Sequence, residues 1–302
     1  MSKLLFIVSV LSGLASFASY NLGFALEKKA IQKLPKEIKE NTKAMLKAIL
    51  TNPLWIFGLF LTMLSVGLYF LALMWAPLST IAPLAGFGLV VLVVFAHVDL
   101  KESLKKIEIL SFILIIVGIC LSSYLTSTEE ITYTWDVWTT RAHSLGGILF
   151  LCLIVVIGLS FLSFRSSRIK KITSYSIAFF AGSLAGIQAI MIKGATVWIS
   201  NKNYNQNLLV FLSFIFAILM TALFSTAALQ FSFKEGRVSI IMSIYNGVIT
   251  VFPILFGGII LQEWNSLQTI PKIFLGVSIT LTLVGIVILS IKHSKTLQDN
   301  NL

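Results

Sequence analysis

The sequence predicts an all-α polytopic membrane protein, with about nine transmembrane helices arranged as an inverted repeat. Three observations predict it. Hydrophobic residues make up 57% of the 302, charged residues only 12%, and the mean hydropathy is +0.93, whereas soluble domains carry about 25% charged residues. Apolar runs of about 20 residues recur along the chain, the length a helix needs to cross a bilayer. Finally, one stretch occurs twice. Ala72 to Glu102 reads ALMWAPLSTIAPLAGFGLVVLVVFAHVDLKE, and Ala228 to Glu263 reads ALQFSFKEGRVSIIMSIYNGVITVFPILFGGIILQE. Each copy opens on Ala-Leu at the end of an apolar run and crosses a polar turn. It then enters the next run at a serine (Ser79, Ser239), passes a glycine (Gly88, Gly247) and closes on a glutamate. Four extra residues, Lys234 to Arg237, lengthen the second turn.

Taken in order, the expected spans are Leu4–Leu26, Leu54–Met74, Ser79–His97, Ile107–Leu125, Ser144–Phe164, Ser174–Val197, Leu208–Phe231, Val238–Leu261 and Ile273–Ile291. They must be helices, because backbone groups in hydrocarbon have to be satisfied within their own segment. The alternating pattern of an outer-membrane barrel is absent. The first span has the outline of a signal peptide, with Lys3 ahead of Leu4–Ala15 and Ser16-Phe17-Ala18 as a small-residue site. Its apolar run continues through Leu26, however, and its Leu14-Ala15 echoes Leu184-Ala185 of the sixth span. The whole chain, 1–302, reads as a single integral membrane domain.

Charge orients it. Eighteen of the 23 Lys and Arg residues fall in alternate connections: between spans one and two (Lys28 to Lys47), three and four, five and six, seven and eight, and at the C-terminus. By the positive-inside rule the N-terminus is outside, the C-terminus is cytoplasmic, and the protein lies in the cell membrane. The net charge of +11 is therefore topological, and no nucleic-acid partner is expected. The hairpin of spans two and three then starts inside and that of spans seven and eight outside. This makes the two units, about 4–164 and 174–291, inverted repeats with a substrate site between them near the midplane. The lysine-rich segment 27–52 reads as a cytoplasmic amphipathic connector, or as an interfacial helix on anionic lipid. Tyr133, Trp135 and Trp138 read as an interfacial belt; the alternative is that the same loop, with Glu129, Glu130 and Asp136, forms a vestibule that collects cations. Cys120 and Cys152 read as small packing residues inside spans.

The pattern Ser79-Thr80-Ile81-Ala82-Pro83-Leu84 entering a helix that closes on Asp99-Leu100-Lys101-Glu102 resembles the drug/metabolite transporter (EamA-like) superfamily. Within it, Asn21-Leu22-Gly23-Phe24-Ala25-Leu26-Glu27-Lys28-Lys29-Ala30 and Trp75-Ala76-Pro77-Leu78-Ser79-Thr80-Ile81-Ala82-Pro83-Leu84 are similar to the first-helix ending and the Ala-Pro…Pro-Leu-Gly element of the NIPA-type magnesium transporter family. The resemblance covers nearly the whole chain. It implies a nine-helix inverted-repeat bundle working by alternating access and carrying Mg²⁺ or another divalent cation. In two places the chain departs from the family pattern. Ala85 separates Pro83-Leu84 from Gly86, and the second span holds Thr62, Ser65 and Tyr69 where the family commonly has an acidic residue.

Polar groups are expensive in hydrocarbon, so they mark the expected substrate pathway. These are Tyr20 and Asn21 in the first span, Gln188 and Lys193 in the sixth, and Ser243, Tyr245 and Asn246 in the eighth. Pro83, Gly86 and Gly88 can break the third helix and turn its carbonyls toward a cavity. The bland alternative is that these side chains only bridge helices, worth about 0.6 kcal/mol each. Lys193 either snorkels to the outer interface or balances an anionic substrate. No carboxylate is placed in a span interior; Glu27, Asp99 and Glu102 sit at span ends, where they gather cations or pair with Lys28, Lys101 and Lys105. His97, His143 and His293 show no ligand spacing and leave any metal ligands unassigned, and no catalytic constellation or Walker lysine is present. The sequence thus predicts no enzyme and no cofactor. The expected partners are lipid and a small solute or cation, with a homodimer left open. Three functions remain: divalent-cation carrier, carrier of a small organic metabolite, and a non-transporting structural or regulatory membrane protein.

Overall fold

The computed structural model describes residues 3–35, 38, 47–100, 106–126, 133–163, 170–201, 208–232, 238–265 and 267–299. Every regular element among them is helical. The first is α1 (Lys3–Gln32), which runs past the expected end at Leu26. Next, α2 (Pro53–Trp75) starts on Asn52, whose side chain accepts from the Leu54 and Trp55 amides, with Pro53 in the first turn where its missing N–H costs nothing. It stops at Trp75 because Pro77 forces Ala76 into an extended conformation. The third expected span is broken into α3 (Leu78–Ile81), a 3₁₀ turn (Ala82–Leu84) holding Pro83, and α4 (Ala85–Leu100). Then come α5 (Lys106–Thr126), α6 (Trp135–Ala142) and α7 (Leu145–Ser163). α6 and α7 are bent by 60° at the break between them. The second half consists of α8 (Lys170–Ser200), α9 (Leu208–Ser232), α10 (Val238–Leu255) and α11 (Thr269–Asp299). A π turn at Phe256–Ile260 extends α10, three residues after Pro253.

Among the described residues, five helices are long and apolar enough to cross a membrane, and six if the bent α6–α7 pair is one crossing. Shorter apolar helices, Leu78–Leu92, Ile109–Ser122 and Ile244–Ile260, fall on the third, fourth and eighth expected spans.

Packing fixes the directions. Gly13 meets Ala72 and Gly23 meets Gly58, so α1 and α2 are antiparallel. Ser225 donates to the Ala181 carbonyl at 2.8 Å while Gly194 meets Phe214, so α8 and α9 are antiparallel too. α1 runs parallel to α4, with Gly13 against Leu84 and Gly88 against Phe17 and Asn21. α8 likewise runs parallel to α10, with Gly182 against Tyr245 and Gly186 against Phe252. α8 also runs alongside α2 in the same direction, with Ala185 and Gln188 sharing a cavity with Ser65 and Tyr69 and Lys193 at Leu73 and Ala76. The trio α1, α2, α4 and the trio α8, α9, α10 therefore have the same internal arrangement and opposite directions. α5 and α11 pack on each other at one side of both trios. The buried residues concentrate where α1, α3, α8 and α10 meet, and the outward faces carry exposed Leu, Ile, Val and Phe, as lipid contact requires. Cys120 and Cys152 lie on those exposed faces instead of in helix contacts, which corrects the expectation of packing residues.

Candidate functional site

Two copies of the dipeptide Tyr-Asn meet at the centre. Tyr20-Asn21 comes from α1 and Tyr245-Asn246 from α10. The two tyrosine hydroxyls share a hydrogen bond, and their rings stack with centroids 6.1 Å apart and planes 13° apart. Beside them, the Asn246 amide donates to Asn21 Oδ1 at 3.5 Å and to the Met242 carbonyl at 2.7 Å, while Asn21 donates to the Phe17 carbonyl at 2.9 Å. Both asparagines are buried, and Asn246 Oδ1 has no hydrogen-bond partner among the described residues. Gly88 makes this possible: a Cβ there would overlap the Asn21 amide and lie 2.6 Å from the Phe17 carbonyl oxygen. Backbone cannot give way as a flexible side chain can, so α4 needs glycine to approach α1 this closely.

Above the tyrosine pair is a cavity of about 50 Å³. Its walls include Ser16, Tyr20, Ser65, Tyr69, Gln188 and Tyr245, drawn from α1, α2, α8 and α10. Ser16 and Ser65 are tied to α2 carbonyls, by bonds of 2.7 Å to the Ser65 carbonyl and 2.6 Å to the Thr62 carbonyl. The cavity thus brings together Tyr20, Gln188 and Tyr245 of the expected pathway, with Asn21, Asn246 and Gly88 directly behind the tyrosines. It does not bring in Gly86, which packs against Ile115 and Thr282 of α5 and α11, or Pro83, which is buried in the 3₁₀ turn. The side chain of Ser243 lies outside the described residues.

The end of the bundle at the α2 C-terminus is closed by buried charge. Glu263, 2% exposed, accepts from the Leu78 and Ser79 amides at 2.9 and 2.7 Å. It gets there because the chain turns back after the π turn through Gln262, whose φ is +58°. Lys193, 4% exposed, donates to the Leu73 and Ala76 carbonyls, both at 2.8 Å. Its ammonium thus satisfies the last carbonyls of α2 and opposes the negative end of that helix dipole. It also lies 5.4 Å from the Tyr133 ring centroid. These contacts correct the expectation that Lys193 snorkels outward. Burial, reinforced by the negative charge of Glu263, pushes the Tyr133 phenol well above its ordinary range. Arg141 donates to the Leu261 carbonyl. Trp138 is buried against Gly194 and Phe214, so it and Tyr133 belong to this closure and not to an interfacial belt.

A second buried carboxylate lies at the opposite, lysine-rich end. Glu27 is 2% exposed, accepting from Thr62 Oγ1 at 2.8 Å and from Gln230 Nε2 at 3.0 Å. The expectation that no carboxylate is interior is therefore overturned at both ends. For Glu27 a signal was available: nothing in the sequence stops α1 at Leu26, and a helix reaching Gln32 carries residue 27 into contact with its neighbours. The suggested partner Lys28, like Asp99, Lys101, Glu102 and Lys105, has its side chain outside the described residues. Among the described residues no three His, Cys, Asp or Glu side chains come together as a metal cluster. The centre offers amide and hydroxyl oxygens instead, the hard ligands that suit Mg²⁺ and Ca²⁺.

A family model described as "Magnesium transporter NIPA" matches residues 5–295. The chain is also 34% identical over 100 residues to the "Probable magnesium transporter NIPA9" of Arabidopsis thaliana. That match spans 33% of this chain and 28% of the plant protein. No solved structure matches.

Proposed function

Since this chain belongs to the magnesium transporter NIPA family, a family of membrane transporters and not of enzymes, we propose that it carries Mg²⁺ or a related divalent cation by alternating access. The path runs through the central cavity and between the two Tyr-Asn dipeptides. The observation that carries this reading is the cavity itself. Its volume of about 50 Å³ has room for an ion that keeps a few waters, at about 10–15 Å³ for each. Its hydroxyl and amide walls, from Ser16, Ser65, Tyr20, Tyr245 and Gln188, offer the hard oxygen ligands that suit a divalent cation. The unpartnered Asn246 Oδ1, buried behind the tyrosine pair, is an acceptor for which a cation passing between the two dipeptides would be the missing partner.

The opposite directions of the two helix trios support an inverted repeat of the drug/metabolite type. Six long crossings, with the bent α6–α7 pair counted as one, and the three shorter helices support nine crossings. The Lys193–Glu263 closure at one end, with the cavity behind it, supports a conformation closed on the side away from the lysine-rich connections. By the positive-inside rule that closed side is the outside, with the protein in the cell membrane and its C-terminus in the cytoplasm. Lys193 then serves as the holder of that closure, with its charge on the α2 carbonyls and not in the path of the ion.

The test is Mg²⁺ entry into proteoliposomes, read by an internal fluorescent dye at two membrane potentials. Saturable entry that grows as the interior becomes negative is the expected result. No Mg²⁺ flux from protein that melts cooperatively would overturn the cation reading and move the substrate to an organic solute or to none.

A further inference from the structure

We propose that Glu27, Thr62 and Gln230 form a divalent-cation site at the lysine-rich end of the bundle, a second station for the ion beyond the tyrosine pair. The proposal rests on the cation-transport reading above and gives that reading a specific ligand set.

The three residues come from three helices, α1, α2 and α9, and converge on one point. Each carboxylate oxygen of Glu27 takes one neutral donor, Oε1 the Thr62 hydroxyl at 2.8 Å and Oε2 the Gln230 amide at 3.0 Å. Carboxylates buried within a membrane protein are costly and mark ion pathways. Neutral donors soften that cost without cancelling the charge, whereas a divalent ion cancels it. The backbone is built to hold this arrangement. A Cβ on Gly23 would lie 2.6 Å from Thr62 Oγ1 and 2.7 Å from the Gly58 carbonyl, and one on Gly58 would lie 2.9 Å from Glu27 Cγ. With any larger residue at either position, α1 and α2 would have to part where Glu27 and Thr62 emerge.

Small rotations convert the hydrogen-bonded state to a liganding one. Thr62 Oγ1 already lies 2.8 Å from the Gly58 carbonyl. Donating its proton there leaves a hydroxyl lone pair for the ion. Turning the Gln230 amide end for end presents Oε1 in place of the NH₂ group. The ion then has carboxylate, hydroxyl and amide oxygens from the protein. Mg²⁺ is commonly held in this way, by one or two carboxylates with several retained waters. On α1, Glu27 lies two turns beyond Tyr20 on the same face, about 10 Å along the axis, so an ion leaving the tyrosine pair meets this carboxylate next.

The test is calorimetric titration of the purified full chain with MgCl₂, run beside the flux assay. The wild type should bind saturably, and Glu27→Gln should weaken binding and raise the flux KM by at least about tenfold, as loss of a metal-site group does. The double variant Glu27→Gln/Gln230→Glu, which exchanges carboxylate and amide across the site, should return both to within a few-fold of wild type, a recovery that misfolding does not produce. Unchanged binding and KM in Glu27→Gln, with an active wild type, would overturn the site and leave transport standing. So would a double variant that melts like wild type and recovers nothing. A wild type that moves no Mg²⁺ would overturn the transport reading itself.

Discussion

Asn246→Leu and Gln188→Leu each cut Mg²⁺ uptake by at least about tenfold, a loss of 1.4 kcal/mol or more, while the protein still inserts and melts near the wild-type temperature. Two magnitudes separate the roles these side chains could play. Helix-bridging amides in membranes contribute about 0.6 kcal/mol, so removing one as a bridge barely affects stability or flux. Removing one as an ion ligand takes an oxygen from a path that has few. Leucine is close to asparagine and glutamine in volume, so little else changes. At position 246 the substitution removes the unpartnered Oδ1 and gives up only a long contact to Asn21, at 3.5 Å. At 188 it makes one wall of the cavity apolar. Uptake at the wild-type rate in both variants would return the residues to a bridging role.

Glu263→Gln destabilises the fold by about 3 kcal/mol, the largest effect on stability expected of a conservative change here. The carboxylate accepts two backbone amides, at Leu78 and Ser79. Glutamine can accept one with Oε1, but its NH₂ then faces the other, leaving a buried donor unsatisfied. The change also removes the negative charge that acts on buried Lys193. Thermal unfolding in detergent, followed through the six tryptophans, measures it. A loss under about 0.5 kcal/mol would mean that this end is wet and mobile and does not form a closure.

What could be read from the sequence, and what could not, follows from where the partner atoms lie. Tyr20, Asn21, Gln188, Tyr245 and Asn246 stood out because polar side chains are costly in apolar runs, and the fold lines one cavity with Tyr20, Gln188 and Tyr245 and sets the two asparagines behind the tyrosines. Lys193 stood out for the same reason, but its role did not. Its partners are the carbonyls of Leu73 and Ala76, and backbone atoms at a helix end leave no mark in composition. Glu263 stood out only as the end of the repeated stretch, two residues past the eighth expected span, because it takes the π turn and the left-handed Gln262 to fold it back beneath α3. Glu27 looked like a span end because the lysines that follow it read as cytoplasmic, although they lie on the same helix. Gly86 and Gly88 were indistinguishable in sequence. They lie two residues apart, and on a helix that separation turns them toward different neighbours, Gly88 to α1 and Gly86 to α5 and α11.

The central claim is that the ion passes between Tyr20 and Tyr245, and the most direct test is to fasten that contact. With Cys120 and Cys152 replaced by serine, Tyr20→Cys and Tyr245→Cys are introduced together and bridged by a short bifunctional thiol reagent of the reducible kind. Bridged protein should lose Mg²⁺ flux and regain it on reduction, with each single variant unaffected by the reagent. Undiminished flux through fully bridged protein would contradict the account.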